Sequence, residues 1–252
     1  MKRKLLVELD LSQAEARAVA YYCGDSGLKA GFQSGVDVHC QRAAMIFGFT
    51  YEDFLERYKA GDSEAKLLRQ LAKIIVHATN YDASARTINN TLKTNGVFKR
   101  EKEVKRIMEQ IHEAFPGIRI YQSGVQQELK RTRILKTAKG MKRYFFSKLD
   151  HNTFKRAYAF LPQCTVAEIT NDGLVAMEKS IEELDGFVLL QVHDSVMYEI
   201  PERNLEQSIE VATMAMTQPL EVIPFFGQPD ILTIPVEVKY GTHWGELKEW
   251  KA

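Results

Sequence analysis

Cysteine is scarce in this chain: Cys23, Cys40 and Cys164 are the only three in 252 residues. They are too few and too scattered for a disulfide framework or a four-ligand zinc site, so a reducing, intracellular (cytoplasmic) setting is expected. Long hydrophobic runs are missing too. The longest unbroken apolar stretch is Ala18 to Cys23, six residues, against the roughly 20 that a membrane span needs, so no membrane partner is expected. The start, Met1-Lys2-Arg3-Lys4, is basic, but the apolar residues behind it are interrupted by Glu8 and Asp10, which excludes a signal peptide. Repeats and low-complexity linkers are absent. Net charge is nearly absent as well: 34 basic and 33 acidic residues leave +1.

What is present is ordinary in amount and uneven in placement. Hydrophobic residues are 45% and charged residues 27%, values of a folded globular chain with one or two domains. Ten basic residues and a single acid, Asp150, lie between Lys130 and Arg156. Among them are Lys142, Arg143 and Arg156, with Tyr144, Phe145, Phe146 and Phe154 interleaved. That pattern suits a surface that contacts phosphates and stacks on bases. It equally suits a solvated basic hairpin over an aromatic core.

The local patterns give an α+β chain. Leu5 to Asp10 alternates like a strand. Ser12 stands as a helix N-cap with Glu15 three residues on, a capping-box pattern, and the helix should end by Gly24. Tyr51 to about Leu92 is helical in composition and lacks proline. Further helices are expected over Lys99 to Phe115, about Gln163 to Glu183, and about Leu205 to Thr217. Phe187–Val192 and Val196–Ile200 flank His193-Asp194-Ser195 as a β-hairpin. Ile234 to Val238 reads as a short strand, marked by proline as an edge. A helical block is thus inserted between two sheet-forming parts.

Three constellations carry chemistry. In Asp10-Leu11-Ser12-Gln13-Ala14-Glu15-Ala16-Arg17, an acid at a strand end is placed to hold a hard cation such as magnesium, although capping alone would also explain these residues. Arg69, Lys73, His77 and Tyr81 recur every four residues. On an α-helix each is displaced only about 40° from the last, in a winding stripe about 18 Å long. Two cations followed by two rings match the order of a nucleoside triphosphate, phosphates and then sugar and base. An amphipathic helix with a solvated face would show the same spacing. In Gln191-Val192-His193-Asp194-Ser195, an acid at a hairpin tip is either a turn former or a second metal carboxylate facing Asp10.

Together these three segments resemble motifs A, B and C of the family A DNA polymerases, the DNA polymerase I class. Lesser matches fall between and after them in order: Asp37-Val38-His39, Phe115-Pro116-Gly117, Thr137-x2-Gly140-x2-Arg143, Pro162-Gln163, and Gly241-x2-Trp244-Gly245, the last similar to phage members. The resemblance implies an α+β polymerase palm, residues 1–30 and 151–252, with mainly helical fingers, residues 31–150, inserted. It implies two magnesium ions on Asp10 and Asp194 with the Leu11 carbonyl. Arg69, Lys73 and His39 would bind the triphosphate, and Lys73 would protonate the leaving pyrophosphate. His77 would pack on the sugar and base. Tyr81, Glu15 and Gln13 would shape the nucleotide site, with Glu15 blocking a ribose 2′-hydroxyl. Gln163, His193, Arg17, Lys142, Arg143 and Arg156 would face primer-template DNA.

The sequence departs from the family pattern at His77, where Phe or Tyr is usual, at Ala78 and Asp82 in place of glycines, and at Ser195 in place of Glu. His-Asp-Ser occurs in single-subunit phage RNA polymerases. A ribonucleotide-using or primase-like enzyme is therefore one alternative, and a non-catalytic DNA-binding scaffold derived from a polymerase is another. The chain starts about ten residues before motif A, so thumb and exonuclease are expected to be absent, with a second chain as a possible source of the thumb.

Overall fold

Strand β1 (Lys4–Leu11) lies inside a five-stranded sheet. Leu5, Val7, Leu9 and Leu11 are buried on one side of it, while Glu8 and Asp10 take the other, as the two-residue period of a strand requires. The sheet, seen in a computed structural model that describes residues 3–251, has the order β4-β5-β1-β8-β9, where β4 is Phe187–Val192, β5 Ser195–Pro201, β8 Val236–Gly241 and β9 Lys248–Glu249. Met1 and Lys2 of the basic start, and Ala252, lie outside the described residues. All pairings are antiparallel, and in register Asp10 stands between Ser195 of β5 and Glu237 of β8. The proline-marked tail strand is therefore not at the edge. The two-residue β9 covers its outer side.

Two helices pack on this sheet, α9 (His151–Glu183) and α10 (Leu205–Met216). Between β1 and α9 the chain runs through α1 (Ala14–Cys23), α2 (Ser26–Gln33), α3 (Val38–Phe47), α4 (Tyr51–Lys59), α5 (Ser63–Asn80), α6 (Ala85–Thr94), α7 (Glu101–Ala114), α8 (Gly117–Thr132) and a small hairpin, β2 (Ile134–Lys136) with β3 (Lys142–Tyr144). A second small hairpin, β6 (Leu220–Val222) with β7 (Asp230–Leu232), follows α10. The α+β class and the inserted helical block are as expected.

Local chemistry accounts for where the helices break. The proline-free stretch from Tyr51 is three helices rather than one. Gly61, at φ +85°, ends α4, and Asp62 caps α5 by accepting from the Glu64 and Ala65 amides. Asp82 turns left-handed after α5, and Ser84 caps α6. The capping box expected at Ser12 and Glu15 does not form. Gln13 is the N-cap of α1, in a left-handed conformation, and the Ser12 hydroxyl donates to Glu237 instead.

Pro116-Gly117 does not merely stop α7. It opens α8 at once, and Gly117 is required there, because an added Cβ would sit 2.6 Å from the Asp25 Cβ. Nor does α9 wait for Pro162. It begins at His151, capped by Asp150. A mid-helix proline lacks the N–H that would satisfy the carbonyl four residues back. The Tyr121 hydroxyl supplies that bond, donating to the Tyr158 carbonyl at 2.6 Å. This tertiary contact is why the helix continues through a residue that would locally end it.

Candidate active site

The end of β1 and the β4–β5 turn meet through backbone hydrogen bonds. The Leu11 amide donates to the Asp194 carbonyl at 3.1 Å, and the Ser12 amide donates to the Pro235 carbonyl at 2.8 Å. Asp194 follows His193, whose φ of 55° forms the tight turn. Gln13 at φ 53° and His193 are both non-glycine residues in the left-handed region, and they flank the two acids. Such strain persists only where surrounding structure holds it.

Asp10 is half-buried, and none of the side-chain hydrogen bonds among the described residues involves it. Burial, then the charges of Asp194 and Glu237, push its carboxyl up to about 6. The acids therefore form a region of negative charge that Lys239 offsets only in part. Among the described residues no set of three or more His, Cys, Asp or Glu side chains is grouped as a metal site. Two carboxylates with free oxygens suit magnesium, which keeps waters and takes substrate phosphates as its other ligands. Glu237 is a neighbour that sequence reading missed. Its strand was visible, but its place opposite Asp10 depends on the β1–β8 register.

Helix α5 carries Arg69, Lys73 and His77 toward these acids. Lys73 and His77 line a pocket of about 120 Å³ together with Gln13, Glu15, His39 and Asp194. Lys73 forms no ion pair among the described residues. Arg69 is engaged: its guanidinium pairs with Asp37 at 3.0 Å and lies 4.9 Å from the Tyr58 ring centroid. Asp37 also caps α3 by accepting from the His39 and Cys40 amides.

Tyr81 leaves the expected stripe. It is the C-cap of α5, and it is buried, with its hydroxyl donating to Glu15. Glu15 also accepts from Gln163 at 3.0 Å, and the His77 Nδ1 is 3.8 Å away. His77 meets the Tyr81 ring edge-on, centroids 5.0 Å apart. Glu15 thus gathers three residues that the sequence scatters over α5 and α9.

His39 is buried on α3 with Nδ1 unpartnered. Burial, and then Arg42, Arg69 and Lys73, hold its imidazole down to about 4, so it is neutral at pH 7. Arg42, one turn further along α3, also lines the pocket and was missed. Its three-residue spacing from His39 was the available signal.

On the far side of Glu15 and Asp194 a wider cleft of about 530 Å³ is lined by Gln163, Val166, Ala167 and His193. The site is therefore a small polar pocket and an open groove that share two acids.

Residues 1–246 match the family model for DNA polymerase family A. The chain belongs to that family. It is 28% identical over 253 residues to the thermostable DNA polymerase I of Thermus thermophilus, covering 97% of this chain and 27% of that protein. It is 28% identical over 251 residues to DNA polymerase I of Mycobacterium leprae, covering 95% of this chain and 25% of that protein. The chain spans about a quarter of the length of the curated relatives it matches. Its fold is similar to the POL domain of Pol1 from M. smegmatis, solved in complex with DNA primer-template and dNTP, with TM-score 0.79 and 25% identity over 96% of this chain and 40% of that one.

Within this family A chain, the departure at Ser195 has a local explanation. Its hydroxyl donates to the Val192 carbonyl at 2.9 Å and tightens the turn. The residues expected at DNA fall into two sets. Gln163, His193, Lys142, Arg143 and Arg156 are exposed. Arg143 also lies against the rings of Phe145 and Phe160, at 5.1 and 5.6 Å. Arg17 differs. It is half-buried, its Nε donates to the Ser12 carbonyl at 3.0 Å, and it covers the Phe32 ring at 4.8 Å. It braces the loop after Asp10 rather than standing free for phosphate. Among the described residues no helix is long and apolar enough to cross a membrane.

Proposed function

We propose that this chain performs template-directed DNA synthesis, adding deoxynucleotides to a primer 3′-hydroxyl in DNA replication of the phage type, within the cytoplasm. The observation that carries the reading is the meeting of Asp10 and Asp194 beside a pocket lined by Lys73, His77 and His39. Residues 1–30 and 151–252 are the palm in this reading, and residues 31–150 are the fingers.

Family A polymerases generally use divalent metal ions. Asp10 and Asp194, with the Leu11 carbonyl, would hold two magnesium ions, which would activate the primer hydroxyl and offset charge on the phosphates. The chain's own residues do the rest. Lys73 and His39 hold the triphosphate along α5 and α3. His77 packs on the sugar and base, Tyr81 shapes the pocket by holding Glu15, and Glu15 occupies the space that a ribose 2′-hydroxyl would need. The primer oxygen bonds to the α-phosphorus as the bond to the β-phosphate oxygen breaks. The hydroxyl proton passes to solvent, and Lys73 protonates the departing pyrophosphate. Gln163 and His193 in the groove, and Lys142, Arg143 and Arg156 beyond it, face the primer-template. A second chain that carries a thumb would add further grip on the duplex.

The test is primer extension by the purified chain with magnesium, comparing dNTPs with NTPs. Extension with dNTPs that is lost in Asp10→Asn and Asp194→Asn supports the reading. Preference for NTPs would replace it with a ribonucleotide-using enzyme. Binding of DNA with no extension under any condition would leave a scaffold.

A further inference from the structure

Four polar atoms buried without a hydrogen-bond partner, Gln13 Oε1, His39 Nδ1, Arg42 Nε and Asn80 Oδ1, belong to residues that line one and the same pocket of about 120 Å³. Buried polar groups are nearly always satisfied, so four such residues around one space mark it as a place for an occupant. Arg42 identifies its charge. The residue is 3% exposed, and none of the side-chain hydrogen bonds or ion pairs among the described residues involves it. The rings of Phe32 and Phe115 lie 5.6 and 6.0 Å from its guanidinium. They position the cation without neutralising it.

A buried guanidinium without a carboxylate is costly. The nearby Arg69 shows the contrast, since Asp37 neutralises it. Lys73, across the pocket from Arg42, has no acidic partner either. The pocket therefore collects two cations without ion pairs, one of them fully buried, beside two amide side chains, and the one further acid on its wall besides Asp194, Glu15, is already engaged by Tyr81 and Gln163. It is large enough for a phosphate group and too small for a nucleoside. Asp194 also lines it, so a phosphate held there would place the rest of a nucleotide toward the acids.

We propose that Arg42 is an anchor for the terminal phosphates of the incoming nucleoside triphosphate, acting beside Lys73. This rests on the polymerase reading and adds to it a residue that binds substrate directly. Guanidinium forks match phosphate oxygens in a way that a lysine cannot reproduce. The energetic arrangement is that of a binding site paid for in the free protein and relieved by the ligand.

The experiment uses the 252-residue chain and two variants, Arg42→Met, which keeps volume, and Arg42→Lys, which keeps charge. Tm is measured alone, with sodium tripolyphosphate, and with dNTP. KM and kcat for dNTP are measured in primer extension. The expected result is that Arg42→Met melts no lower than the parent without ligand, loses the Tm rise with tripolyphosphate, and raises KM by about tenfold or more. Arg42→Lys should also raise KM, by less. If Arg42→Met melts lower yet keeps the tripolyphosphate shift and the parental KM, Arg42 is a structural brace and the proposal falls. Should Arg42→Met not fold, an unchanged KM in Arg42→Lys would overturn it equally. A parent chain that extends primers but shows no shift with tripolyphosphate also removes the anchor, while leaving the polymerase reading intact. A shift that depends on Arg42 in a chain that never extends a primer does the reverse: the polyphosphate pocket stands and the polymerase reading fails.

Discussion

The Leu11 amide donates to the Asp194 carbonyl at 3.1 Å, and this bond extends the β1–β5 pairing, in which Asp10 stands opposite Ser195, to the turn that bears the second acid. The two acids are brought near one another by backbone pairing, and Asp194 is the first charge that acts on the Asp10 carboxyl. Asp10 registers the cost as a carboxyl raised to about 6, chiefly by burial and then by Asp194 and Glu237.

The sign of that shift sets a stability prediction. A carboxyl raised in the folded state binds its proton more tightly there than in the unfolded chain. Its cost is absent below about pH 4, grows as pH rises, and is complete above about 6. Asp10→Asn should therefore melt higher than the parent at pH 7.5 and equal to it near pH 4. Added magnesium should raise the parent's Tm at pH 7.5 and raise that of Asp10→Asn less. Equal Tm values for parent and variant across pH would show that the acids do not burden one another.

Glu15 gathers Tyr81, Gln163 and His77. Shortening it to alanine opens space beside the sugar and frees all three. Glu15→Ala should raise the ratio of ribonucleotide to deoxynucleotide incorporation by roughly 10- to 100-fold, read by gel with matched templates. Tyr81→Phe keeps the ring but loses the bond to Glu15, and should lower stability by about 1 kcal/mol in denaturant melts.

Lys73 and Lys66 lie on the same helix and near the same face, but Lys66 is two turns earlier and borders Gly61 rather than the pocket. Lys73→Ala should weaken dNTP binding and slow turnover, whereas Lys66→Ala should leave both within about twofold. Equal losses in steady-state kinetics would mean that α5 offers only a general cationic surface.

Lys142 and Arg143 are neighbours on β3 and should behave differently. Lys142 is exposed, so Lys142→Ala should reduce DNA affinity and lower the slope of log K against log salt by about 0.9, with Tm unchanged. Arg143 lies against Phe145 and Phe160, so Arg143→Ala should lower Tm as well. Fluorescence anisotropy over a salt series, with parallel melts, separates the two. An unchanged slope in both variants would remove the basic hairpin from the DNA surface.

Much of the frame was legible along the chain because it depends on short-range patterns. The alternation in β1, the β4–β5 hairpin around His193-Asp194, the helix that bears Arg69, Lys73 and His77, and helix α10 all stand where their local signals place them. Local signals failed where a distant group replaced the local one. Ser12 serves Glu237 rather than a helix end. Pro162 does not break α9, because Tyr121 satisfies the carbonyl that the proline abandons. Arg17, which the resemblance places toward DNA, is half-buried against Phe32 and donates to the Ser12 carbonyl.

The amino-acid sequence by itself determined the α+β class and the order of the segments that resemble the family, since period and spacing are properties of neighbouring residues. Only the tertiary structure decided which charges are relieved. Glu237 comes opposite Asp10 through strand register, Asp37 neutralises Arg69 across two helices, and Arg42 is left buried without an acid. The physical reason is that register and helix packing are set by burying the apolar faces, among them Leu5, Val7, Leu9 and Leu11 of β1. The polar side chains on the opposite faces meet whatever partners that burial brings to them.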